Sequence, residues 1–239
     1  MKAQGDRIDV GFLLYPRLTQ LDLTGPYEVL RRLPDVRTHM IWKDMLPIPD
    51  PAGLAILPTT TTADVARLDV VVVPGGPGWR DLVEDEEALE WLARIAGTAS
   101  WITAVSTGSL VLGAAGLLRG YRATSHWMSV DLLAAFGAVP TPERVVVDRD
   151  RITGGGVTAG IDFALTLARL LRGADVAEAI QLQMEYDPAP PFVSGTPEQA
   201  RPEVLEAVLG RASADRDLAA AAVRRAADAL AARAVEPAT

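Results

Sequence analysis

Cysteine is absent from all 239 residues of the chain. That excludes disulfides, a zinc knuckle and thiol chemistry by the chain as it stands. Histidine is nearly absent too: His39 and His126 are the only two and lie far apart, with no carboxylates at ligand spacing, so no metal site is expected. A surplus of basic charge is missing. The 23 Lys and Arg are outnumbered by 31 Asp and Glu, and the pairs Arg31-Arg32 and Arg224-Arg225 stand isolated among acids. A nucleic-acid-binding surface is therefore not expected. No apolar run is long enough to span a bilayer, and Met1–Asp6 has no signal-peptide pattern, so the expectation is a cytoplasmic protein without a membrane partner.

What is present is an apolar content of 49%, enough for one large globular unit. Ile8–Tyr15, Thr38–Lys43, Gly53–Pro58, Leu68–Val73 and Trp101–Val105 read as strands, with the Val70–Val73 run of four valines the plainest. Helical spacing is expected at Tyr27–Leu30 behind Pro26, at Asp85–Ala96, from Leu110 on, through Val130–Phe136, over Thr158–Leu171 and over Ala174–Met184. Glu143–Asp148 and Arg151–Thr153 read as a hairpin turned by charged residues. Strands alternating with helices predict an α/β fold with a mostly parallel, doubly wound sheet over residues 1–195. After the proline-rich Asp187–Phe192, residues 196–239 are expected to be a helical extension, with helices at Pro202–Gly210 and Asp217–Arg233, packed on the domain or on a dimer partner.

Three strand ends carry polar or backbone chemistry. The strand Trp101–Val105 turns into a helix through Ser106-Thr107-Gly108, which is the outline of a nucleophile elbow. On the local pattern Ser106 reads more readily as an ordinary helix N-cap, since the first glycine of G-x-S-x-G is missing. Asp22 is expected in the loop after the first strand, where open α/β sheets place ligands, and reads either as a site carboxylate or as a local turn former. Gly75, Gly76 and Gly78 follow the valine strand. The G-x-G-x-x-G dinucleotide fingerprint is absent, leaving exposed backbone N–H groups as an oxyanion site. His39 reads as structural, and His126 as packing beside Trp127. Singly each feature is ordinary; together they describe a catalytic pocket.

Leu21–Pro26, Val73–Gly76, Val105–Ser109, Ala123–Trp127 and Thr153–Asp162 resemble the ThiJ/PfpI superfamily, over nearly the whole stretch from Ile8 to Phe192. The resemblance implies a flavodoxin-like sandwich and a homodimer. Within the superfamily the pattern is most similar to the isonitrile hydratases, which add water to an isonitrile to give an N-substituted formamide without a cofactor. It implies that position 106 attacks the isonitrile carbon, that Asp22 is the general acid/base, and that backbone N–H groups at Gly76 and Thr107 stabilise developing charge. Thr107 stands where peptidase-like members have histidine, which fits the hydratase branch. One departure matters: the family has a reactive cysteine where this chain has Ser106. A hydroxyl is far less ionised than a thiol, so a cysteine-to-serine form with little activity, introduced or natural, is implied. Two other classes share the domain. The AraC-type regulators use it as a sensor but add about 100 basic residues, and the glyoxalase- or deglycase-like members usually have glutamate at the position of Asp22.

Overall fold

The computed structural model describes residues 6–235; Met1–Gly5, on which most of the leader reading rests, lie outside them. The chain opens with β1 (Ile8–Leu13) and α1 (Gln20–Leu30), followed by β2 (Val36–Trp42). The short strands β3 (Ile48–Pro49) and β4 (Ala55–Ile56) precede β5 (Thr60–Thr61). Next come β6 (Val70–Val73), α2 (Trp79–Leu82) and α3 (Glu86–Ala96). The central unit is β7 (Trp101–Val105) running into α4 (Gly108–Ala114). After β8 (Arg122–Ala123), Val130–Phe136 form a tight 3₁₀ segment, not the α-helix expected, and Gly137 ends it with φ of 74°. The chain continues through β9 (Val139–Pro140), the hairpin β10 (Val145–Asp148) and β11 (Arg151–Gly154), α5 (Ala159–Arg172), α6 (Ala174–Gln183) and α7 (Pro202–Val235).

The main sheet has seven strands in the order β10-β11-β7-β6-β1-β2-β5, and only the β10–β11 pair is antiparallel. The pairings Val73 with Ala104 and Val105 with Gly154 bring the carboxyl ends of β6, β7 and β11 to one edge. The chain passes from β1 to one side and later returns on the other through β6, so the topological switch point lies between β1 and β6. Helices α1, α5 and α6 form one layer, and α2, α3 and α4, joined by α7, form the other. Both faces are thus covered, which is why Val70–Val73 are all fully buried and read as an unbroken apolar run. At α3, Asp85 caps the first turn by accepting the Ala88 N–H at 3.1 Å, a contribution of about 1 kcal/mol.

Three further expectations are corrected. First, α1 begins at Gln20, so Asp22 sits in its first turn and Pro26 lies inside the helix. Pro26 withholds the N–H that the Asp22 carbonyl would accept. Its ring compensates by packing on α5, where a Cβ at Gly160 would meet its Cδ at 3.0 Å. Second, the strand expected at Gly53–Pro58 is only Ala55–Ile56, and it pairs antiparallel with Ile48–Pro49 apart from the main sheet. Prolines 47, 49, 51 and 58 lack ladder donors, so the edge of the main sheet passes to Thr60–Thr61. Third, Pro202–Gly210 and Asp217–Arg233 belong to one continuous helix. Gly210 costs such a helix only about 1 kcal/mol, too little to break it.

Candidate active site

The elbow is built by backbone strain held from several sides. Ser106 adopts φ of 55°, a left-handed conformation that costs a non-glycine residue about 1–2 kcal/mol. The N-cap position of α4 falls on Thr107, so Ser106 is the turn itself and not a cap. Its N–H donates to the Gly154 carbonyl of β11 at 2.9 Å. Its carbonyl accepts the Ser125 hydroxyl at 2.9 Å and the Ser109 hydroxyl at 2.6 Å. Ser109 shares that proton with the Thr124 carbonyl at 2.7 Å, and the Thr124 N–H donates to Thr153 Oγ1 at 2.9 Å. A strand (β11), a helix (α4) and the loop after β8 therefore impose one conformation on position 106. A serine three residues past the turn was a legible local signal for Ser109; Ser125 arrives only through the fold.

Asp22 lies behind the elbow, 0% exposed. Its Oδ2 accepts the Gly75 N–H at 3.0 Å, and its buried Oδ1 has no hydrogen-bond partner. Burial pushes its pKa up to about 7, against the opposing pull of the Gly75 N–H and the Ser106 hydroxyl. Near neutrality the carboxyl group is thus poised between its two forms. A Cβ on Gly75 would lie 2.6 Å from Asp22 Oδ2 and 2.8 Å from the Thr107 nitrogen, so only glycine lets the loop reach the carboxylate. Gly76 has φ of 131°, open only to glycine, and its N–H donates to Thr107 Oγ1 at 3.0 Å. The loop is pinned by the Tyr15 hydroxyl, which donates to the Pro74 carbonyl at 2.9 Å, and by the Thr19 N–H on the Gly75 carbonyl at 2.9 Å.

In front of these groups lies a cavity of about 740 Å³. Gly76, Ser106 and Thr107 line it, whereas Asp22 and Gly75 stand behind that wall; the fold brings all five together. Gly78 is spent elsewhere, its N–H on the Arg17 carbonyl at 3.2 Å. His126 lines the cavity, accepts the Met128 N–H on Nδ1 at 3.3 Å and tilts against Trp127 with ring centroids 5.7 Å apart. Burial lowers its pKa, which keeps the imidazole neutral at neutral pH. His39 sits on β2, away from the site, with Nε2 3.0 Å from Asp9. Sequence reasoning missed the cavity's other side: Trp79 and Arg80 of α2, and residues of α7 from Ala212 to Ala220. Among the described residues no cluster of three His, Asp or Glu could hold a metal ion, and no helix is long and apolar enough to cross a membrane.

A parallel sheet with a strained strand–helix elbow, a buried carboxyl group and a glycine loop at its switch point defines an α/β protein of the flavodoxin-like class. The chain belongs to the DJ-1/PfpI family, whose model matches residues 9–170. It is 54% identical over 206 residues to an isonitrile hydratase of Pseudomonas putida, covering 86% of this chain and 90% of that one. A ThiJ/PfpI family protein from Pseudomonas syringae superposes with a TM-score of 0.89 at 43% identity, covering 91% of this chain and 90% of the other. The HTH-type transcriptional regulator GbdR of Pseudomonas aeruginosa is 32% identical over 186 residues, which are 74% of this chain and half of the regulator.

Proposed function

We propose that this chain carries the site of an isonitrile hydratase, R–N≡C + H₂O → R–NH–CHO, with Ser106 at the position of the nucleophile. The observation that carries the reading is Asp22, a buried carboxyl group with a pKa near 7 and one unpartnered oxygen, placed directly behind the elbow. The terminal carbon of an isonitrile is both electrophilic and, once attacked, in need of a proton. The anionic nucleophile at position 106, a thiolate when the residue is cysteine, adds to that carbon, and the proton of Asp22 passes to the resulting anionic carbon, giving a thioimidate. Water then adds to the same carbon; one of its protons returns to Asp22, the other ends on the substrate nitrogen, and the C–S bond breaks to release the thiolate and the formamide. Thr107 Oγ1 already accepts from Gly76, so its own proton is free to donate to the substrate nitrogen. This refines the expected part of Gly76, whose N–H is engaged by Thr107 and acts through it.

No resident cofactor has a place in these steps. The 54% identity to a hydratase over most of both chains supports the same activity here. We assign a homodimer to the protein, supported by Leu46, Leu54 and Leu57, which stand 66%, 55% and 63% exposed around the β3–β4 hairpin. A cytoplasmic setting fits a chain without cysteine.

Serine is the weak point of the reading. A hydroxyl beside a carboxylate yields almost no alkoxide, whereas a thiol in the same place ionises readily. The chain as it stands is expected to bind isonitriles and hydrate them negligibly, and Ser106→Cys to raise formamide production by about a thousandfold or more. Mass spectrometry of the product with both proteins at neutral pH checks this. Equal turnover by the two forms would refute the nucleophile's role, and no turnover of any isonitrile by the cysteine form would refute the hydratase.

A further inference from the structure

The family-defining region ends at residue 170, yet the cavity in front of Ser106 is closed on one side by α7, which begins at Pro202. Ala212, Ala219 and Ala220 line that side. Their spacing of seven and eight residues puts them on one helical face. Beyond them the same helix is seated by Ala222, Val223 and Ala226, all 2% exposed or less, against α4 and the 130–136 segment. Towards the amino end the anchorage thins: residues 213–218 are all exposed. What ties that stretch down is an ion pair, Arg80 Nη1 of α2 donating to Asp215 Oδ1 at 2.7 Å. Arg80 is itself only 18% exposed and lines the cavity.

An isonitrile is linear at nitrogen, so its substituent runs straight away from the carbon under attack. The groups at the elbow serve the two-atom function, and a cavity of about 740 Å³ is far larger than those two atoms need. The remaining space is for the substituent, and on one side its boundary is α7, which the family region does not supply: Ala212, Ala219 and Ala220 present methyl groups there beside the polar Ser213, Asp215, Arg216 and Asp217. We propose that α7 is the specificity wall of the site: Ala212, Ala219 and Ala220 set the size of N-substituent admitted, and the Arg80–Asp215 pair holds the wall in place. The substrates favoured are isonitriles with bulky substituents. This inference rests on the hydratase reading for its substrate, though not for the existence of the wall.

The test uses Ser106→Cys, whose introduced thiol is the only one in the chain. Ala220→Phe is added to it, and two ratios are read. The first is kcat/KM for 2,6-dimethylphenyl isocyanide over that for methyl isocyanide. The second is the rate of thiol modification by N-phenylmaleimide over that by methyl methanethiosulfonate, which needs no hydratase activity. Both ratios are expected to fall about tenfold. Ala212→Phe, farther from the buried seam, repeats the measurement should Ala220→Phe fail to melt cooperatively. Asp215→Asn, which frees the amino end of the wall, is expected to raise KM for the aryl isonitrile more than for the methyl one. Modification ratios within twofold of the parent in both phenylalanine variants would overturn the wall. A modification ratio that falls while no isonitrile is hydrated would retain the wall and overturn the hydratase.

Discussion

The rim of the sheet and the helix α7 meet in one cavity but are held by different physics. At the rim, Ser106 is pinned by its N–H donating to the Gly154 carbonyl and by its carbonyl accepting from the Ser109 and Ser125 hydroxyls, each between buried groups whose loss leaves a polar atom unsatisfied. On α7, a seam of alanines and one valine does the seating, helped by surface pairs such as Arg225 Nε with Glu84 at 2.9 Å. The rim therefore tolerates backbone strain at a fixed position, as a reacting atom requires. None of the hydrogen bonds that fix Ser106 comes from α7. Chemistry and selectivity are divided between a rigid edge and an adjustable wall.

The largest effect expected at the rim is on Asp22. In the Ser106→Cys background, Asp22→Asn should lower the rate of formamide production by about a hundredfold or more, since an amide cannot exchange the proton. Its stability signature is separate. The Asp22 carboxyl group holds its proton more tightly folded than unfolded, so its stabilising contribution is full below the ordinary carboxylate pKa of about 4, is lost as pH rises from there to about 7, and does not change further above that. Melting temperatures of the parent should fall between about pH 4 and about pH 7 and level off above, and those of Asp22→Asn should be flatter across that window, with the variant the more stable at pH 8. A parent and variant with parallel pH profiles would contradict the raised pKa.

A smaller effect is expected from Ser109→Ala, which leaves the Ser106 and Thr124 carbonyls short of a donor. It should cost about 1–2 kcal/mol in urea unfolding and slow turnover of the cysteine form through misplacement of the elbow. The smallest belongs to α7. Arg225→Ala breaks a pair whose side chains are 61% and 42% exposed, and should change stability by no more than about 0.5 kcal/mol. Should Arg225→Ala prove as costly as Ser109→Ala, the contrast between the two regions would be lost.

Much of the fold was legible because its signals are local. The strand at Val70–Val73, the strand–turn–helix at Ser106 and the charged hairpin at Arg149-Asp150 each follow from neighbouring side chains and backbone preferences. The start of α1 was not legible, because Pro26 looks like a helix beginning until its ring is seen packed on Gly160. Gly210 misled in the same way: its cost is small against the length of helix on either side. At the site, the residue types Asp22, Gly75, Gly76, Ser106 and Thr107 could be chosen from strand ends, and the register of β6, β7 and β11 explains why those ends meet.

By itself the sequence determined the sheet's parallel character and the candidate chemistry, since hydrophobic period and turn residues act over a few positions. Only the tertiary structure decided three things: that Asp22 is fully buried and so titrates near 7, that Ser109 and Ser125 hold the elbow's carbonyl, and that a helix beginning 96 residues after Ser106 closes the cavity in front of it. Burial and long-range contact are properties of how distant segments pack together, and no local pattern encodes them.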